Sequence, residues 1–348
     1  MSADVRADIG SPGALMAAEI AEQPAALQRL LRDGIAPIAE VRRAIELFSP
    51  EFVILAARGT SDHAALYGRY LVEIRRQLPA ELAAPSTLTL YGARPDLRRA
   101  LFVAVSQSGA SPDLTASLQV ARECGALTVA VTNDAGSELA TLAHHHVDVL
   151  AGVERSVAAT KTYTAELLAL YLLLSDDAAG GATGAAAVPD AAAATLEHRT
   201  RVAEAAARFR YAQRLVTTGR GYSYATAREA ALKLMETSYL AALAYSGADL
   251  LHGPLAVVDA DVPVIAVTTP GIGATAMEPV LAQLADAGAD VLRVGDAAGL
   301  PVELADVAEH LAPLVEILPL QQLAWQLAVD RGVDPDRPRS LQKVTHTW

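Results

Sequence analysis

One cysteine, Cys124, stands in 348 residues, so no disulfide can form within the chain. Its place in an expected helix makes it a buried, inert thiol. Basic residues are scarce. Against 40 Asp and Glu there are 28 Lys and Arg, giving a net charge of −12 and a pI near 5.1. Nucleic acid and anionic membrane surfaces are both held by clustered Lys and Arg, so neither is expected as a partner. A small anionic substrate is not excluded, because a local site can be positive within an acidic whole. Long apolar runs are missing too. The longest, AELLALYLLL (165–174), is interrupted by Glu166 and is too short to span a bilayer. The opening MSADVRADIG carries acids and no apolar core, so it is not expected to be a signal peptide. A soluble, cytoplasmic protein is expected. What the chain has in plenty is apolar side chain, 52% of all residues, enough to bury the core of one large or two medium domains.

Apolar, β-branched runs alternate with helical patterns. Residues 14–48 read as helical, with Pro24 and Pro37 marking breaks or starts. FVILAA (52–57), TLTLYG (87–92), LFVAV (101–105), LTVAVTN (127–133) and VDVLAG (147–152) read as strands, with helices at about 63–76, 112–124, 137–143 and from Ala159. The alternation indicates α/β architecture with parallel sheets covered by helices on both faces. An Ala/Gly-rich connector at 178–194 fits either a flexible linker or a weak helix. The theme then returns: RLVTTGRG (214–221) repeats ILAARGTS, and VPVIAVTTPG (262–271) repeats LFVAVSQSG. Forty-eight positions separate Arg58 from Ser106 and Arg220 from Thr268, and Gly109 and Gly271 fall at one offset. Two doubly wound halves explain this spacing. The expected organisation is a helical segment (1–48), a first unit (49–177), the connector, a second unit (195–335) and a tail (336–348).

SQSGASPD (106–113) follows a strand and opens a helix. Free backbone N–H groups and the helix dipole suit an anion there. Ser106, Ser108 and Ser111 add hydroxyls, Gln107 an amide, and Gly109 permits close approach, while Ser111–Pro112 reads as an N-cap and N1 pair. A bound phosphate is the favoured reading over a plain capped turn. It is not a nucleotide loop, since no GK[ST] ending is present and Tyr224 stands where a dinucleotide fingerprint needs its third glycine. Thr60 and Ser61 in RGTSD (58–62) should add donors from the neighbouring strand end.

The second informative stretch is an apolar helix carrying Glu229, Lys233 and Glu236 at i, i+4 and i+7. For Glu229 and Lys233 alone, an ordinary salt bridge on a wet face suffices. Glu236 precedes a mostly apolar segment that leads to His252, and a carboxylate in such surroundings has a raised pKa and can serve as a base. His252 is suited to proton transfer, although a lone histidine is more often structural. His144, His145 and His146 lack ligand spacing and read as a solvated turn rather than a metal site. No Gly-x-Ser-x-Gly elbow is present, which removes support for serine hydrolysis.

Together, RGTSDHA, VAVSQSGASPD, ERSVAATKTYTAELL, GRGYSYATAREAALKLMETSY, LLHGPLAVVD and DRPRSLQKVT resemble the sugar isomerase (SIS) family. They are most similar to the isomerase half of glucosamine-6-phosphate synthase and to related amino-sugar-phosphate deaminases. The resemblance implies two tandem three-layer SIS units and a sugar-phosphate ligand contacted by Thr60, Ser61, Ser106, Gln107, Ser108 and Ser111. It implies that Glu236 shuttles a proton between C1 and C2 and that His252, reaching the site from a partner subunit, assists ring opening. Lys343 would engage the open-chain carbonyl, with Glu229 and Lys233 in support. A homodimer with a shared site follows, and no metal or other cofactor is needed. Two departures stand out. The chain begins MSAD, so a preceding glutaminase domain is not expected, and exchange with free ammonia would favour deamination. Ala159 stands where the synthase commonly has serine, so one sugar contact would be lost. Glucosamine 6-phosphate to fructose 6-phosphate plus ammonia is the expected reaction. A phosphorylated-fructosamine deglycase and a non-catalytic sugar-phosphate sensor are the alternatives.

Overall fold

A computed structural model describes residues 11–175 and 182–343. The opening MSADVRADIG, part of the 178–194 connector and the end of the tail lie outside these residues. Three helices come first: α1 (Ala14–Ala21), α2 (Gln23–Asp33) and α3 (Ile35–Phe48). Pro24 and Pro37 sit in the first turns of α2 and α3, where a missing N–H costs nothing. The first half runs β1 (Phe52–Ala56), α4 (Thr60–Leu71), β2 (Ala80–Leu82), α5 (Pro85–Thr89), β3 (Ala100–Ser106), α6 (Pro112–Glu123), β4 (Leu127–Thr132), α7 (Glu138–Leu142), β5 (His145–Asp148) and α8 (Lys161–Leu174). Helices α9 (Ala182–Ala185), α10 (Val188–Leu196) and α11 (Arg199–Phe209) follow. The second half runs β6 (Arg214–Gly219), α12 (Ser223–Ser238), β7 (Ala241–Ser246), α13 (Gly247–Leu251), β8 (Val264–Val267), α14 (Ile272–Asp286), β9 (Val291–Val294) and α15 (Pro313–Asp330).

The strands form two wholly parallel sheets, ordered β2-β1-β3-β4-β5 and β7-β6-β8-β9. Matched strand for strand, the second order repeats the first without its last strand. Gly59 and Gly221, which follow β1 and β6, both hold positive φ, at 56° and 58°. Alternate residues of the first sheet serve opposite faces, as the period of two demands. Val53, Leu55, Leu101 and Val103 enter a core that continues into α8, α12, α15 and the second sheet, whereas Ile54, Ala56, Phe102 and Ala104 pack beneath α6. The inner core therefore joins the two halves. At its centre lies α8, buried at all fourteen positions, its apolar side chains facing every side apart from Lys161, Thr162, Thr164 and Glu166.

Several local expectations are corrected. TLTLYG is not a strand: Pro85 starts helix α5, Leu88 is buried, and Leu90 and Tyr91 face solvent. The strand lies earlier, where Ala80 pairs with Val53. His145 and His146 belong to strand β5 rather than a turn. His146 Nε2 meets Thr132 Oγ1 at 2.9 Å, and His144 Nδ1 meets Thr128 Oγ1 at 2.8 Å. Cys124 caps the C-terminus of α6 and is only half-buried. Of the two forms left open for the connector, residues 182–185 and 188–196 are helical, and Val188 and Ala192 are buried in the shared core.

Candidate functional site

Strand order reverses between β1 and β3, and a crevice opens at the carboxyl ends of such neighbours. The loops after these two strands are RGTSD and SQSG. Gly109 has φ 58° and packs where a Cβ would strike Ser137, so the turn requires glycine. Ser106 Oγ accepts from the Gly109 N–H at 3.2 Å, and Ser108 Oγ accepts from the Ala110 N–H at 3.3 Å. Ser111 occupies the N-cap position of α6, but its side chain does not cap. It donates instead to Asp113 Oδ1 at 3.1 Å. The other carboxylate oxygen of Asp113 takes Arg58 through Nε at 2.8 Å and the guanidinium end at 2.7 Å. Arg58 thereby ties one loop to the other and leaves a half-exposed positive charge at the mouth of an acidic protein.

The second half supplies the opposite wall through α12. The expectation of a wet-face bridge is corrected here: Glu229 and Lys233 are both 0% exposed, because α12 packs against α4. Lys233 Nζ donates to Thr60 Oγ1 at 2.9 Å, and Thr60 Oγ1 donates to Glu229 Oε1 at 3.1 Å. His63 Nδ1 meets Glu229 Oε2 at 2.7 Å. Burial alone would lower the Lys233 pKa, but the flanking carboxylates of Glu229 and Glu236 outweigh it and hold the ammonium above its ordinary range. Glu236 does not have the apolar setting the sequence suggests. Its carboxylate pairs with Lys233 at 2.5 Å and remains 22% exposed.

The C-terminal tail closes a third side. Lys343 Nζ donates to Glu154 Oε2 at 2.8 Å and to the Ser156 carbonyl at 2.7 Å. Glu154 is fully buried, which alone would raise its pKa. Lys343 and the N–H groups of Thr160 and Thr162 more than reverse this and keep the carboxylate ionised. From α1, Glu19 accepts the N–H groups of Arg155 and Ser156 and fixes the same 154–160 segment from behind.

These walls enclose a cavity of about 300 Å³. It is lined by Thr60, Ser61, Ser106, Gln107, Ser108 and Ser111, by Ala159, and by Glu236 and Lys343. Glu229 and Lys233 lie directly beneath. His252, expected to serve the site of a partner subunit, is exposed just after α13 and does not line its own chain's cavity. Among the described residues no cluster of His, Cys, Asp and Glu has the makings of a metal site, and no helix is long and apolar enough to cross a membrane. Among the lining residues that sequence reasoning missed are Arg58, Tyr163 and Glu166. Glu166 did carry a signal, as the single charge in AELLALYLLL.

Known proteins share the fold that carries this geometry. The family model described as SIS domain matches residues 46–175 and 208–312. An isomerizing glutamine–fructose-6-phosphate aminotransferase of Gloeobacter violaceus is 35% identical over 94% of this chain and 58% of its own length. The chain thus spans a little under three fifths of that relative. A structure described as a candidate phosphosugar isomerase, from Silicibacter pomeroyi, superposes with a TM-score of 0.83 at 37% identity, covering 92% of this chain and 99% of that one. The C-terminal domain of a Francisella tularensis glucosamine–fructose-6-phosphate aminotransferase gives 0.84 at 27%, covering 95% and 100%.

Proposed function

The chain belongs to the SIS domain family, and from that premise we propose that it is a hexose-phosphate isomerase of the amino-sugar type, converting glucosamine 6-phosphate to fructose 6-phosphate and ammonia. One observation carries the reading: a hydroxyl-rich, helix-opening loop, a carboxylate and an amine line a single cavity of about 300 Å³. The volume lies at the small end for ligand pockets and suits one sugar.

The phosphate dianion takes the hydroxyls of Ser106 and Ser108, the Gln107 amide and the backbone N–H groups opening α6, with the backbone N–H groups of Thr60 and Ser61 opening α4 on the other loop. The Ser111, Thr60 and Ser61 hydroxyls are given to Asp113, Glu229 and Glu166 and shape the pocket. Arg58 adds positive charge at the rim. With the phosphate anchored, the sugar's other end extends toward Glu236 and Lys343. Glu236 removes the proton from C2 of the open-chain form and returns it to C1, a transfer that one base on one face of the enediol or enolamine can complete. The Lys233 ammonium, paired with it at 2.5 Å, fixes the carboxylate's position. Lys343 lies where it can donate to the carbonyl oxygen as negative charge develops. The proton transfer leaves an imine at C2; water adds to that carbon, and collapse of the adduct expels ammonia and leaves the ketose carbonyl.

His252 stands outside its own cavity, which suits a histidine presented to a second copy of the chain. A homodimer that shares its sites is therefore part of the proposal. The sensor alternative has less support, because binding alone needs neither a carboxylate nor an amine in the cavity. The test is direct. Purified protein is given a panel of hexose 6-phosphates, with ammonia and ketose as readouts. Ketose with equimolar ammonia from glucosamine 6-phosphate is expected. No turnover on any member of the panel would overturn the reading.

A further inference from the structure

Each half carries one buried glutamate on its last long helix, Glu166 on α8 and Glu316 on α15, and in each half a serine two residues after the loop glycine donates to it. In the second half Ser223 Oγ donates to Glu316 Oε1 at 2.7 Å, Thr226 Oγ1 donates to Oε2 at 2.7 Å, and Thr269 adds a third hydroxyl. Both oxygens are satisfied, and the residue needs nothing more. In the first half Ser61 Oγ donates to Glu166 Oε1 at 2.8 Å. Glu166 Oε2 is buried without a hydrogen-bond partner in the protein. The side chain is 1% exposed yet lines the cavity. A buried polar atom left without a partner is costly and calls for an explanation.

The matching carboxyls thus differ: Glu316 is saturated by its own half, and Glu166 is half-open where the cavity lies. From this difference we propose that Glu166 is a sugar-binding residue that faces the ligand as a neutral carboxylic acid, donating its Oε2–H to an oxygen of the bound sugar. The inference rests on the sugar-phosphate reading of the cavity. It deepens that reading by adding a contact on the sugar rather than on the phosphate. Neutrality follows from the surroundings. Among the described residues no Lys or Arg is ion-paired with Glu166, whereas Lys343 is engaged by Glu154 and Lys233 by Glu229 and Glu236. Burial raises the Glu166 pKa far above the usual carboxylate range; the Ser61 hydroxyl and Lys343 oppose this, and the charges of Glu154 and Glu229 add to it. A protonated carboxyl can donate, which an ionised one cannot.

Titration calorimetry of the full chain with fructose 6-phosphate, and separately with inorganic phosphate, tests this. Wild type should prefer the hexose phosphate. Glu166→Leu should weaken hexose-phosphate binding roughly tenfold while holding inorganic phosphate within about threefold. Glu166→Gln keeps an acceptor for Ser61 and a donor at the Oε2 position, so it should bind hexose phosphate within about threefold of wild type. The wild-type to Glu166→Gln affinity ratio should stay constant from about pH 7 to 9. If wild type prefers the hexose phosphate and Glu166→Leu retains that preference, the inference falls and the functional reading stands. If wild type shows no preference over inorganic phosphate, the reading falls and takes the inference with it. A Gln variant more than threefold weaker than wild type for hexose phosphate, or a ratio that drifts more than threefold with pH, overturns the neutral donor. Should Glu166→Leu fail to fold in a melting assay, these last two measurements decide alone.

Discussion

The two sheets reach their switch points by the same route, but one mouth is open and the other is filled from within. Strand order, loop position and the positive φ of Gly59 and Gly221 all match. After β3 and β1, the serine loop and Arg58 frame a cavity. After β8, the corresponding helix opening is taken by Glu309, whose Oε1 accepts the Gly273 N–H at 2.7 Å. Thr268 donates to the Val294 carbonyl and Thr269 to Glu316. The second half answers its own donors with its own acceptors. The lesson is that a switch point becomes a ligand site only where its donors are left uncommitted. Having closed its own mouth, the second half contributes α12 as a wall to the first.

This difference can be sharpened by substitution. The largest effect is expected at Glu236. Glu236→Gln should lower kcat on glucosamine 6-phosphate by roughly 10²–10⁴-fold while hexose-phosphate affinity stays within about threefold, read by steady-state kinetics against calorimetry. Next comes Lys233→Met. It leaves the fully buried Glu229 without its cation and should cost about 3–5 kcal/mol in urea unfolding. Removing the exposed Arg201–Glu204 pair should change stability by less than about 1 kcal/mol.

A paired substitution tests the two loops directly. Ser106→Ala with Ser108→Ala should weaken fructose 6-phosphate binding by roughly tenfold or more. Thr269→Ala, at the matching loop, should leave that affinity unchanged and lower stability by about 1–2 kcal/mol, because Glu316 loses a donor. Equal losses of affinity in both loops would erase the distinction between the halves.

The smallest effect is on pH. The Glu154 pKa is held below its ordinary value of 4.5 by Lys343 and two backbone N–H groups, which together overcome its burial. Its contribution to stability is therefore complete above that ordinary value and is lost as pH falls through the lower, folded value. Glu154→Gln should be less stable than wild type at neutral pH, with the gap in melting temperature narrowing in acid.

Parts of this were legible in the sequence. The runs FVILA, LFVAV and LTVAV announce β1, β3 and β4, since strands buried on both faces are continuously apolar. Edge strands give no such signal: β2 is three residues long, and β7 is alanine-rich and partly exposed. The alternation in TLTL imitates a strand, but Pro85 starts a helix there. The serine loop was readable because polar residues after a buried strand have few structural uses. Glu229 and Lys233 were not, because i, i+4 spacing looks the same on a wet face and beneath a second domain half. Only the packing of α12 on α4 makes that pair internal. Glu166 was visible as a lone charge, but its meaning depends on Ser61 and on a cavity wall more than a hundred residues away in sequence.

The central claim is that one switch point is uncommitted and the other self-occupied. The measurement that meets it most directly is a crystal structure of the protein soaked with fructose 6-phosphate. Phosphate density in the Ser106–Ser111 loop, with the sugar directed toward Glu236 and Glu166 and nothing at Gly271–Gly273, is the predicted result. Density at the second loop, or an empty first loop at saturating ligand, would contradict it.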